Sequence, residues 1–206
     1  MKKLLTLLFS LFLLSSPSVF ADDISDFSIE GMSIGDSLLD YMTEDEILEG
    51  IEKSERYYFL NEPNKFIEIY LNKTSPTYDN LSVFIKNNSS NKYVSNNNNK
   101  HIIQGIRGLI RYNEDFYSCM VERDQVVEVL PEMFPNAQKN EHKMIHAADP
   151  SEDSITDGIY FYLDSGAIIY AVCIDFEETF RIENNWDDTL NIVIQTKEMV
   201  DWMEDY

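Results

Sequence analysis

Apolar positions change period several times along the chain, and each change predicts an element. Ile47, Leu48 and Ile51 fall on one helical face behind Thr43-Glu44-Asp45-Glu46, a capping box in which threonine and glutamate satisfy opposite free amides. Just upstream, Gly35-Asp36 precedes Ser37-Leu38-Leu39, so a short first helix capped by Asp36 is expected. The period then shortens to two. Ile67, Ile69 and Leu71 share one side of residues 66–71, and Leu81, Val83 and Ile85 one side of residues 81–86. A longer run, 102–112, carries Gly105 and Gly108 and predicts a strand with a bend or bulge. Polar residues on the opposite sides favour antiparallel pairing.

A helix is predicted over 114–130, capped by Asn113, with Phe116, Cys119, Met120, Val126, Val127, Leu130 and Met133 in one buried stripe and Pro131 ending or kinking it. Residues 159–163 and 167–176 form a predicted hairpin around Asp164-Ser165-Gly166, a loop that suits glycine in the left-handed position. In that register Ile159, Phe161 and Leu163 share a face with Ala167, Ile169, Ala171 and Cys173. One more strand (190–195) and an amphipathic C-terminal helix marked by Met199, Trp202, Met203 and Tyr206 complete the pattern. Residues 87–100, NNSSNKYVSNNNNK, can bury almost nothing and read as a mobile loop.

The fold class expected is α+β: a mainly antiparallel sheet with helices packed on one face. The order of elements suggests two similar helix-then-strands units, 33–112 and 113–196, within a single domain, 22–206.

The first residues change where that domain is placed. Lys2-Lys3, an apolar stretch from Leu4 to Leu14, a polar segment and Val19-Phe20-Ala21 read as a signal peptide, residues 1–21, cleaved after Ala21. An uncleaved anchor is the alternative. The apolar core is short for a membrane span, so no span is expected after signal removal, and the protein is expected to be periplasmic or secreted. Outside the cytoplasm, the two cysteines, Cys119 and Cys173, are expected to pair; two separate buried thiols compete with that reading.

Charge narrows the partners. Sixteen Lys and Arg stand against 37 Asp and Glu, a net of −21 in 206 residues. Such a surface repels phosphate backbones and anionic lipid, and no later stretch concentrates bases, so nucleic acid is excluded as a partner. With 44% apolar residues the chain is nonetheless built to fold.

Three groups of residues invite a chemical reading. Gly35-Asp36-Ser37-Leu38 resembles the opening block of the GDSL esterases and lipases, which would make Ser37 a nucleophile, but neither a later Gly-x-Asn-Asp nor a C-terminal Asp-x-x-His follows. His142 and His146, with Glu141 and Asp149, have a spacing seen at metal sites, yet spacing fixes no third strong ligand and two solvent-facing histidines explain the same residues. The acidic turns at 149–153 and 157–158 lack the Asp-x-Asp-x-Asp-Gly order that calcium loops use. No catalytic residue, metal or cofactor is assigned.

The far side of the late hairpin is more promising. With Cys173 facing inward, Tyr160, Tyr162, Ile168, Tyr170 and Val172 project outward, and tyrosines on an accessible sheet suit recognition of an envelope protein, a peptide or a glycan. Coverage of that face by a loop or the C-terminal helix is the competing arrangement.

Three stretches, Ile29-Glu30-Gly31-Met32-Ser33-Ile34-Gly35-Asp36-Ser37-Leu38-Leu39-Asp40-Tyr41, Cys173-Ile174-Asp175-Phe176 and Thr196-Lys197-Glu198-Met199-Val200-Asp201-Trp202, together resemble an uncharacterised family of small secreted bacterial proteins. The resemblance implies export and spans nearly the whole mature chain; it brings no activity, cofactor or site residue. The expectation is therefore an exported, non-catalytic binding or interaction module. A serine hydrolase using Ser37 and a purely structural periplasmic protein are the alternatives.

Overall fold

The structure is a computed structural model that describes residues 23–54, 57–58, 60–72, 75–87, 100–113 and 115–205. The predicted signal peptide, residues 88–99 of the polar tract and Tyr206 lie outside the described residues.

The chain opens with a small hairpin, β1 (Ser28–Ile29) against β2 (Met32–Ser33), turned through Glu30 and Gly31 at positive φ. A 3₁₀ turn, Leu38–Asp40, follows, and its cap differs from expectation. Ser37 Oγ accepts from the Leu39 amide, whereas the Asp36 carboxylate accepts from the Ser33 amide at 2.8 Å and the Tyr41 hydroxyl at 2.6 Å. Gly35, at φ +93°, turns the chain so that Asp36 ties back to the hairpin. Helix α1 (Glu44–Lys53) carries the predicted capping box, with Thr43 and Glu46 each accepting the other's amide.

Strands β3 (Phe66–Tyr70), β4 (Asn80–Lys86) and β5 (Ile103–Arg111) form a meander. The β4–β5 register shifts between Phe84 and Ile85, opposite Gln104 and next to Gly105, where a bend was expected. Helix α2 (Phe116–Glu128) is capped by Asp115, whose carboxylate accepts from the Ser118 amide at 3.0 Å. Asn113, the expected cap, instead takes a left-handed φ of 41°. Pro131 falls in a separate short helix, α3 (Leu130–Met133). The chain continues through β6 (Gln138–Ile145), β7 (Ile155–Tyr162), β8 (Ile168–Asp175), α4 (Glu178–Asn184), β9 (Thr189–Gln195) and α5 (Lys197–Met203).

Seven strands make one antiparallel sheet in the order β3-β4-β5-β9-β8-β7-β6. The fold is α+β and mainly sheet. Each half runs helix and then meander, and the halves meet through their last strands, β5 and β9.

The first face of the sheet supplies the main core. Ile67, Ile69, Val83, Ile85, Ile106, Phe161, Ile169, Leu190 and Ile194 are buried there. Helix α1 lies on β3 and α2 on β8. Cys119 on α2 reaches Cys173 on β8 in a disulfide, S–S 2.02 Å with Cα atoms 6.0 Å apart. Ala171, opposite Ile159 as predicted, gives the helix room to approach.

The second face is different. Helix α5 packs there, with Met199 over Gly105 and Trp202 between Phe66 and Tyr57, ring centroids 5.1 and 5.4 Å away. Trp202 Nε1 donates to the Glu62 carbonyl at 2.7 Å, so the buried indole is satisfied. This helix covers the β3–β4–β5 end of the face.

Candidate binding face on the sheet

Residues paired across neighbouring antiparallel strands share a face, so the register alone lays out a row. Asn140 on β6 stands opposite Tyr160, Tyr160 opposite Tyr170, Tyr170 opposite Val193, Val193 opposite Arg107, Arg107 opposite Ser82, and Ser82 opposite Tyr70. The row crosses all seven strands on the face away from the disulfide.

At the β7–β8 end the row is aromatic. The Tyr160 and Tyr170 rings lie 5.2 Å apart at 27°, Tyr160 and Tyr162 lie 6.5 Å apart at 23°, and His142 meets the Tyr160 ring edge-on at 5.4 Å. Tyr160 lies over Gly158, where a Cβ would strike both its ring and Val172. The rings thus form a layer over the smaller residues. Ile168 and Val172 are 5% and 4% exposed, Tyr160 and Tyr170 are half-buried, and Tyr162 is 36% exposed. Of the five residues assigned to this face, two form its floor and three its surface. Burial pushes the Tyr170 hydroxyl pKa up, with the neighbouring Tyr160 adding to it, and burial raises Tyr160 as well.

At the other end the row is polar. Arg107 Nη2 lies 2.5 Å from Glu68 Oε1 and 2.9 Å from the Tyr70 hydroxyl. Glu68 also accepts from the Ser82 hydroxyl and the Tyr57 hydroxyl, both at 2.6 Å. Burial alone would lower the Arg107 pKa, but the Glu68 carboxylate, with Tyr70 and Tyr57, holds it raised. Glu68 and Tyr70 also line a groove of about 170 Å³ between α1 and β3, with Glu46, Glu49 and Lys53 on its other side. The face therefore carries flat apolar rings at one end and a buried Glu68 network at the other, from which Tyr70 reaches solvent.

Alternation along β3 puts Glu68 and Tyr70 on the side opposite Ile67 and Ile69. Their place in one row with the tyrosines depends on β9 inserting between β5 and β8, a long-range choice.

The other candidates separate. Ser37 Oγ donates to the Lys100 carbonyl at 3.0 Å and accepts the Leu39 amide, so its hydroxyl serves the turn and a tie to the next segment. His142 sits on the Tyr160 edge, whereas His146 lies against Phe176 at 4.9 Å and Trp186 at 6.1 Å. Asp149 organises the turn after β6: its oxygens accept from the Ser151 amide, the Ser154 amide and the Ser154 hydroxyl at 2.8, 2.9 and 2.6 Å. Among the described residues, no three His, Cys, Asp or Glu side chains gather in an arrangement that could hold a metal ion. No described helix is long and apolar enough to cross a membrane.

No protein-family model, curated protein or solved structure matches this chain.

Proposed function

We propose that the protein is an exported, non-catalytic binding module that engages an envelope protein, a peptide or a glycan through the Tyr160–Tyr162–Tyr170 layer. One observation carries this reading: near-parallel tyrosine rings lie on the sheet face away from the disulfide-linked helix, with Tyr162 reaching solvent. Tyrosine buries a large apolar body while its hydroxyl keeps a polar partner, which suits recognition of amphipathic surfaces. The Cys119–Cys173 bridge and the leader-like residues 1–21 support export, since disulfides persist in oxidising compartments.

The test is affinity capture from an envelope extract with the wild type and the Tyr160→Ser/Tyr162→Ser variant. Recovery of the partner is expected to fall at least about tenfold, because central interface tyrosines each contribute about 2 kcal/mol. Circular dichroism is expected to show the fold retained. Equal recovery rejects the assignment, and labelling of Ser37 by a serine-reactive phosphonate would favour a hydrolase instead.

A further inference from the structure

Among the described residues strand β6 is the far edge of the sheet, paired with β7 on one side alone. It spans Gln138–Ile145, and all of its residues except Asn140 are exposed. Both of its faces meet solvent, including Met144 and Ile145 at 51% each. An edge of this length presents a row of unpaired backbone amides and carbonyls, a template for another strand.

Its charge pattern selects the occupant. A two-fold axis normal to the sheet pairs the strand with an antiparallel copy of itself. Two such registers overlap seven residues of each strand. Centred on Glu141, the register sets glutamate against glutamate and Lys139 against Lys143, which is unfavourable. Centred on His142, it sets Glu141 against Lys143 of the second copy, twice by symmetry, with Lys139 opposite Ile145 and Asn140 opposite Met144. Opposite charges directly across a strand pair are favourable and like charges are not. Lys139 already pairs with Glu141 within the strand at 2.8 Å, so the carboxylate would lie between two ammonium groups. The strand itself is net positive, two lysines against one glutamate, in a chain of net −21. At physiological salt charges beyond about 8 Å are largely screened, so the directly opposed pairs along the seam count for more than the net charge of each copy.

We infer that two copies of this chain associate through β6 in the His142-centred register, making one fourteen-stranded antiparallel sheet. The axis is normal to the sheet, so both tyrosine layers lie on the same side, with His142 of each copy between them. Exposed Met144 and Ile145 become covered by Asn140 and the Lys139 stem of the other copy. The inference concerns the edge and stands whether or not the tyrosine face binds a ligand.

Sedimentation of the purified full chain at about 0.15 M salt tests it, where long-range charge is screened. A reversible monomer–dimer equilibrium is expected. Glu141→Lys alone and Lys143→Glu alone are each expected to weaken it about tenfold or more, since each replaces two attractive cross-strand pairs by repulsive ones. The Glu141→Lys/Lys143→Glu double variant restores it. Register is read independently by cross-linking with copper phenanthroline. His142→Cys forms a disulfide-linked dimer, because directly opposed Cα atoms lie about 4.5 to 5.5 Å apart. Asn140→Cys does not, being displaced from its own copy by roughly 13 Å. A wild type that stays monomeric at every concentration, a dimer indifferent to the single charge reversals, a double variant that fails to recover, or cross-linking of Asn140→Cys as efficient as that of His142→Cys overturns the inference.

Discussion

Glu68 is a carboxylate only 6% exposed on the face that carries the tyrosines, held by Arg107, Ser82 and Tyr57 together. A buried charge is tolerable when paired and costly when its partner is removed. Glu68→Ala is therefore expected to lower unfolding free energy in urea by about 3 kcal/mol, since it leaves the Arg107 charge without its carboxylate and takes an acceptor from the buried Ser82 hydroxyl. The Glu68→Leu/Arg107→Leu pair is expected to recover part of that loss, because it removes the uncompensated guanidinium while the Ser82 and Tyr57 hydroxyls still lose their acceptor. Asp149 sets a pH dependence in the same way. The Ser154 hydroxyl foremost, then the Ser151 amide and hydroxyl and the Ser154 amide, hold its carboxyl far below the usual carboxylate range, against the effect of burial. Its folded pKa is thus depressed from 3.8, and the unfolded chain takes up the proton first as pH falls. The stability it contributes is complete above that value and is lost as pH drops toward the folded pKa. Urea unfolding is expected to show Asp149→Asn less stable than wild type at pH 7, with the gap narrowing below about pH 4. A gap that stays constant from pH 7 to pH 3 contradicts that assignment.

Elements were readable where one residue pattern dominated. The α1 capping box and the β7–β8 loop with Gly166 at φ +81° follow from local chemistry that tertiary context left alone. Two separate periodicities, helical at Cys119 and alternating at Cys173, pointed both sulfurs into the same layer, and the bridge joins them. Closing a loop of 54 residues constrains the unfolded chain by about 4 kcal/mol in the chain-entropy model. Cys119→Ser/Cys173→Ser is expected to lose a comparable amount in urea unfolding, and an unchanged midpoint would show that the bridge restrains nothing. Thr43→Ala is expected to cost about 1 kcal/mol through the lost cap. Other elements were opaque for physical reasons. Strand β6, QKNEHKMI, has no apolar alternation because both its faces are solvated, so pairing with β7 alone defines it. Arg123 sits within the apolar stripe of α2 yet is buried, because Asp157 and Asp124 neutralise it from the sheet side and from its own helix. Asp36 and Ser37 both suit a cap, and only the left-handed Gly35 decides between them.

At the scale of the molecule, one sheet separates two environments. The first face is closed by α1, α2 and the disulfide; the second is closed by α5 at one end and by its own tyrosine rings at the other. Fold class was legible from the alternation of periods. The composition of the candidate site was legible only in part: the hairpin placed Tyr160, Tyr162 and Tyr170, but Arg107, Glu68 and Tyr70 joined them through strand order that no local pattern carries. The large acidic excess fits this division, since it favours solubility and repels anionic partners while the ring-bearing end of the second face stays apolar.

Tyrosine-directed iodination read by mass spectrometry, on the protein alone and in an envelope extract, tests the binding face most directly. Tyr117, 79% exposed on α2 at the opposite side of the sheet, serves as an internal reference. Labelling of Tyr162 in the free protein and its selective protection in the extract, with the reference unchanged, is the predicted result. Equal labelling of Tyr162 in both conditions would contradict the account.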